Sequence, residues 1–143
     1  SNSIAFSPDG RTLYFADSPR RQIWRYDYQD GRAFNRRVFV DTEPYGSSPD
    51  GATVDADGFL WSSLVRGGAI ARFDREGRLD RLIKVPTAHP TCLAFAGRQL
   101  DRLFVTSISE SENLRAGDAL AGRLIEISGL PYRGLPESRY RIA

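Results

Sequence analysis

Residues 2–17, NSIAFSPDGRTLYFAD, and residues 50–63, DGATVDADGFLWSS, decide the fold once one is laid over the other. Leu13-Tyr14 falls on Leu60-Trp61, an offset of 47. The same offset sets Ile23 on Ile70 and Arg25-Tyr26-Asp27 on Arg72-Phe73-Asp74. Upstream of the first turn it becomes 48, pairing Phe6 with Val54 and Gly10 with Gly58, so that Arg11 is one extra residue. A looser third copy places Phe95 on Val54, Leu103-Phe104 on Leu60-Trp61 and residues 124–127 on 70–73. Its insertion is the polar stretch 109–120, which reads as a loop because it has no apolar stripe.

Each copy is built from short runs of β-branched and aromatic residues separated by Pro, Gly, Asp and Ser, which is strand-and-turn chemistry. The first unit predicts strands at 3–7, 12–17, 22–28 and 36–41, and the second at 52–55, 59–64, 69–74 and 80–85. Asp9-Gly10 and Asp57-Gly58 supply the first hairpin of each unit, and Gly31 and Gly77 the last, where positive φ matches strand twist. Four short strands repeating at this period predict an all-β chain of β-propeller blades, about three of them, at 3–41, 52–85 and 92–140. Three blades do not close a ring, since propellers use about four to eight.

At 143 residues, 41% hydrophobic and 27% charged, the chain is of ordinary globular composition. Its 20 basic and 18 acidic residues leave a net charge of +2. The nearest basic cluster, Arg20, Arg21 and Arg25, is interleaved with Asp17 and Asp27, which argues against a nucleic-acid partner. No apolar run reaches membrane-spanning length, so no membrane partner is expected. The lone Cys92 excludes an intrachain disulfide and a thiolate metal cluster, and it fits a reducing, cytoplasmic setting.

Four residues before the aligned positions Phe6, Val54 and Phe95 stand Asn2, Asp50 and Thr91. All three are polar, and each precedes the strand that would line the propeller axis. An amide, a carboxylate and a hydroxyl from separate units are hard oxygen donors, suited to Ca²⁺, Mg²⁺ or Mn²⁺. The competing reading makes them local caps and Asx turns. Asp50 differs from Asp9, whose counterpart is the turn residue Asp57, and Pro49 and Gly51 predict a tight turn that fixes its carboxylate.

Other residues carry plainer expectations. His89 precedes Pro90 and is expected exposed, Cys92 is expected in the core, and Trp24 and Trp61 are expected to pack the blades. Residues 72–81, RFDREGRLDR, alternate in sign and read as a solvated outer hairpin. Asp17, Asp27 and Asp74 end strands, where turn or ion-pair roles suffice.

The stretch from Asn2 to Asp17 resembles the SMP-30/gluconolactonase/regucalcin family, as do Pro49-Asp50-Gly51-Ala52-Thr53-Val54-Asp55, Gly58-Phe59-Leu60-Trp61 and Pro90-Thr91-Cys92-Leu93-Ala94-Phe95. Residues 129–140, GLPYRGLPESRY, look like that family's C-terminal end. The resemblance implies a six-bladed propeller with one divalent metal at its axis, Ca²⁺ first, with Zn²⁺, Mg²⁺ and Mn²⁺ as alternatives. It implies hydrolysis of a sugar lactone to the aldonic acid, with Asn2 and Asp50 as metal ligands and Asp50 also as general base. Thr91 would meet a substrate hydroxyl or cap its own loop.

The family's glutamate ligand and a second asparagine have no counterpart here. The expectation is therefore that residues 1–143 form the C-terminal half of the enzyme, inactive alone and prone to self-association without the N-terminal half. The alternatives are a non-catalytic propeller that binds calcium or another ligand, and a propeller enzyme resembling strictosidine synthase or paraoxonase.

Overall fold

The computed structural model describes residues 2–136. Among these, regular structure is all β apart from two short 3-10 turns. The first antiparallel sheet runs β1 (Ile4–Phe6), β2 (Thr12–Asp17), β3 (Gln22–Gln29), β4 (Arg32–Asp41) in spatial order. The second is β5 (Ser48–Val54), β6 (Leu60–Val65), β7 (Ala69–Phe73), β8 (Leu79–Lys84). The third places β10 (Arg102–Ser107) between β9 (Pro90–Ala96) and β13 (Leu124–Ile127). Residues 137–140, the end of the expected third blade and of the family-like C-terminal stretch, lie outside the described residues.

The repeat survives at the level of individual ladder pairs. Leu13 opposes Tyr26, Leu60 opposes Phe73 and Leu103 opposes Ile127. On the other side of the same strands, Phe6 opposes Leu13, Val54 opposes Leu60 and Phe95 opposes Leu103. Gly10, Gly31, Gly58 and Gly77 all have positive φ, as hairpin turns of these twists require. β4 starts at residue 32, four positions earlier than expected, because the turn at Asp30-Gly31 is tight and pairing resumes at once between Gln29 and Arg32.

One apolar cluster, including Tyr14, Ile23, Phe39, Leu60, Leu64 and Phe73, joins the first sheet to the second. Another, including Trp61, Ile70, Leu93, Leu103 and Val105, joins the second to the third. The middle sheet is therefore covered on both faces, and every residue of β6 and β7 is buried. Trp61 packs as expected, but Trp24 is only half-buried, its ring covered by the Arg36 guanidinium at 4.8 Å. β4 faces solvent over most of its length, so the ring beneath it meets no second sheet there.

Arg72 is a correction to the solvated hairpin read from its neighbours. Its side chain is almost wholly buried, stacked between Phe59 and Tyr132 with 3.9 Å from the guanidinium carbon to each ring centroid. Tyr132 belongs to the C-terminal segment that returns across this end of the sheets, where Ala56 N–H donates to the Arg133 carbonyl and Asp55 bridges to Gly134. Charge alternation in sequence has no information about that return.

The insertion is an ordered hairpin of β11 (Glu110–Ser111) and β12 (Leu114–Arg115). It is tied down by Ile108 N–H to the His89 carbonyl, and by Asp118, whose carboxylate accepts from Ala88 N–H at 3.1 Å and lies 3.3 Å from the Thr87 hydroxyl. The amide of Ala88 in particular holds the Asp118 carboxyl below its ordinary range.

Candidate functional site

The first strand of the second and third sheets is bulged at its entry. Pro49 pairs with Leu64 and Ala52 with Ser62, so Asp50 and Gly51 together face Ser63. Pro90 pairs with Ser107 and Leu93 with Val105, so Thr91 and Cys92 together face Thr106. Ahead of β1, Asn2 N–H donates to the Ala16 carbonyl at 3.0 Å and Ala16 N–H donates to the Ser3 carbonyl at 3.1 Å, again two residues against one. A bulge bends its strand and re-aims a side chain. Here the same device occurs at equivalent points of the three units.

Asp50 thus lies inside strand β5, not in the turn predicted for Pro49-Asp50-Gly51. Proline and glycine are tolerated at a bulge on an edge strand, and β5 is such an edge. Gly51 has a further reason to lack a side chain. A Cβ there would stand 2.6 Å from Cys92 Cα and 2.7 Å from its Sγ, so the two bulges touch backbone to backbone.

These bulges bring Asn2, Asp50 and Thr91 to one cavity of about 340 Å³, also lined by Cys92. An adjoining space of about 400 Å³ shares Asn2 and Asp50 and extends outward to Ser18, Arg66 and Asn113. Ser18, which sequence reasoning missed, links the elements. Its hydroxyl accepts from Asn2 Nδ2 at 2.5 Å and donates to the Pro49 carbonyl at 2.6 Å. That bond takes the amide nitrogen of Asn2 and leaves Oδ1 as an acceptor with no hydrogen-bond partner among the described residues. Another cavity, about 440 Å³ and lined by Ile4, Phe6, Val54 and Leu135 among others, has no ionisable side chain and offers no chemistry.

Asp50 is half-buried and has no ion-pair partner among the described residues. Burial pushes its carboxyl above the ordinary range, while a hydrogen bond from the Gly51 amide pulls the other way. A desolvated carboxylate beside a free amide oxygen fits a hard divalent cation, which would supply the missing counter-charge. Among the described residues no group of three or more His, Cys, Asp or Glu side chains converges.

The Thr91 hydroxyl lies 2.8 Å from the Thr106 hydroxyl, which also accepts from Cys92 N–H. It lines the cavity but is engaged within its own bulge. The equivalent of Thr106 in the second sheet is Ser63, whose buried hydroxyl has no partner among the described residues, directly across from Asp50 and Gly51.

Two expectations reverse. His89 is buried, its Nε2 3.1 Å from the Arg115 carbonyl, because the insertion folds over it. Cys92 is exposed into the cavity, since the bulge turns it out of the core rhythm that Leu93 keeps.

Replacing Gly51 by alanine is expected to cost about 1–3 kcal/mol, because the nearest obstructing atom is Cys92 Cα, which no rotamer change can move. Denaturant unfolding of the full-length protein would show it, and a loss below about 0.5 kcal/mol would mean that the contact is not tight.

The profile of the SMP-30/Gluconolactonase/LRE-like region matches residues 1–109. The chain is 38% identical to L-arabinolactonase of Azospirillum brasilense, over 98% of this chain and 47% of that protein. It is 32% identical to regucalcin of Gallus gallus, over 95% of this chain and 47% of that protein. The crystal structure of a calcium-binding protein, regucalcin, from Agrobacterium tumefaciens superposes with a TM-score of 0.88 at 32% identity, over 99% of this chain and 49% of that one. The chain spans about half the length of the curated relatives it matches.

Proposed function

The chain belongs to the SMP-30/Gluconolactonase/LRE-like family, and on that premise we propose that the protein of which it is part hydrolyses a sugar lactone to the aldonic acid with the help of a divalent cation. The observation that carries this reading is the convergence of Asn2 and Asp50 on one cavity, with a desolvated carboxylate that no cation among the described residues neutralises. The lactonase name of the relative from Azospirillum brasilense supplies the reaction class.

In this reading Asn2 Oδ1 and Asp50 hold the cation, Ca²⁺ in the first instance, with Zn²⁺, Mg²⁺ and Mn²⁺ as alternatives. When bound, it supplies Lewis-acid polarisation of the lactone carbonyl. Asp50 takes a proton from the attacking water. The water oxygen forms the new bond to the carbonyl carbon, the ring acyl C–O bond breaks, and the proton passes to the departing ring oxygen. Without the cation, burial raises the affinity of the Asp50 carboxylate for a proton. Ser18 fixes the Asn2 amide and thereby which of its atoms faces the cavity. Thr91 donates to or accepts from a hydroxyl of the sugar as it exchanges with Thr106.

The whole protein is read as a six-bladed propeller in which the three sheets here are the C-terminal half, and as cytoplasmic. The isolated chain would then expose Ile4 (61%) on β1 and Leu124 (64%) on the edge strand β13, and is expected to be inactive and to self-associate. A monodisperse lactonase of 143 residues in sedimentation would contradict this.

The test of the function is acid release from γ- and δ-sugar lactones by the full-length protein, before and after chelation. Hydrolysis is expected to stop on chelation and return with the cation. Cation binding without turnover of any sugar lactone would favour a binding protein instead.

A further inference from the structure

The outer part of the cavity has a feature that the hydrolytic step does not use. Arg66 lines it together with Asn113 and Leu114, and Asp50 lines the same space. Arg66 stands in the β6–β7 turn with φ 70°, the left-handed region, and its side chain is exposed. The turn is pinned on both sides. A Cβ on Gly67 would come within 3.0 Å of the Ser47 side chain, and one on Gly68 within 3.1 Å of the Thr87 carbonyl. The Ser47 hydroxyl donates to the Val65 carbonyl at 2.5 Å, and Val85 N–H donates to the Gly68 carbonyl at 3.0 Å. The neighbours of Arg66 are therefore fixed to scaffold, and Arg66 itself lines the cavity.

The facing wall is equally fixed. Asn113 is at the tip of the β11–β12 hairpin, which is fastened through Arg115 to His89 and through Asp118 to Ala88. Arginines 20, 21, 37, 72, 102 and 115 each meet a carboxylate, but Arg66 makes no ion pair or side-chain hydrogen bond among the described residues. Arg66 and Asp50 thus line one space without forming an ion pair.

We propose that Arg66 is a specificity-determining residue that takes an oxyanion substituent, carboxylate or phosphate, carried by the lactone on the end remote from its carbonyl. A guanidinium offers a planar fork of donors matched to such groups, and Asn113 adds an amide donor beside it. The preferred substrates are then acidic sugar lactones over neutral ones. This inference rests on the lactonase reading above.

The experiment uses the full-length protein and its Arg66→Gln, Arg66→Gly and Arg66→Lys variants. The glycine variant suits the left-handed backbone and guards against a folding defect. Hydrolysis is compared for glucaro-δ-lactone, 6-phosphoglucono-δ-lactone and neutral glucono-δ-lactone, with glucarate and gluconate binding measured by calorimetry. The ratio of charged to neutral kcat/KM is expected to fall by about 10- to 100-fold in Arg66→Gln and Arg66→Gly, mainly through KM, and less in Arg66→Lys. Preference for only one of the two charged lactones identifies the oxyanion. A ratio that does not move, or a wild type that favours the neutral lactone, overturns the proposal. If no lactone is hydrolysed, the lactonase reading fails, and glucarate binding that weakens in Arg66→Gln still supports the anion site, whereas unchanged binding sinks it.

Discussion

Replacing Asp50 by asparagine in the full-length protein is expected to lower kcat for sugar-lactone hydrolysis by about 10²- to 10⁴-fold, the usual contribution of a positioned general base. The side chains are nearly the same size, so Gly51 keeps its contact with Cys92 and the bulge is preserved. A second effect has the opposite sign. The buried carboxyl has its folded-state affinity for protons raised, so without a cation its ionised form is disfavoured. Its stabilising contribution is present at low pH and is lost as pH rises through that raised value. The neutral amide has no such penalty. In chelator at neutral pH the variant should therefore melt above the wild type, and the order should reverse when the cation is restored. Wild-type turnover in the Asp50→Asn protein would remove Asp50 from the mechanism, and a lower Tm in chelator would remove the desolvation account.

Asp55→Ala should be the most damaging substitution to stability, costing about 3–5 kcal/mol. Asp55 is fully buried and accepts Trp61 Nε1 and Arg72 Nε at 2.8 Å, and the amides of Asp57 and Phe59 at 3.0 Å. Its removal leaves a guanidinium locked between Phe59 and Tyr132 with its closest counter-charge gone. Arg72→Met, which strands the carboxylate instead, should cost a similar amount. Pairing the two substitutions should cost less than their sum, because each alone leaves a buried charge. The outer arms of the network are different. Asp57, with its side chain 67% exposed, and Asp80 should each cost below about 1 kcal/mol on truncation. Urea unfolding of the full-length protein measures all four, and an Asp55→Ala loss below about 1 kcal/mol would mean that water reaches the site.

Both predictions concern residues whose roles were unequally legible. Asn2 and Asp50 stand out by their place in the repeat, and the ladder pairs Leu13–Tyr26, Leu60–Phe73 and Leu103–Ile127 show that the three units are equivalent in register. An internal repeat fixes equivalence, and stacked equivalent sheets bring equivalent entry residues to one cavity. The local conformation at Asp50 differs from the expected turn, because Pro-Asp-Gly favours a turn until a neighbouring strand pairs with it. Arg72 and His89 were misjudged for a related reason. Their burial comes from residues far along the chain, Tyr132 for one and the hairpin ending at Arg115 for the other.

By itself the sequence determined the all-β class, the three units, their hairpin turns and the polar residues at each unit's entry, since period and local turn chemistry act over a few residues. Only the tertiary structure decided that those entries are bulges, that Ser18 holds Asn2, that Cys92 faces the cavity and that Arg66 and Asn113 rim it. Those facts arise where sheets distant in sequence press together, and close packing between them, not local preference, sets which way a side chain points.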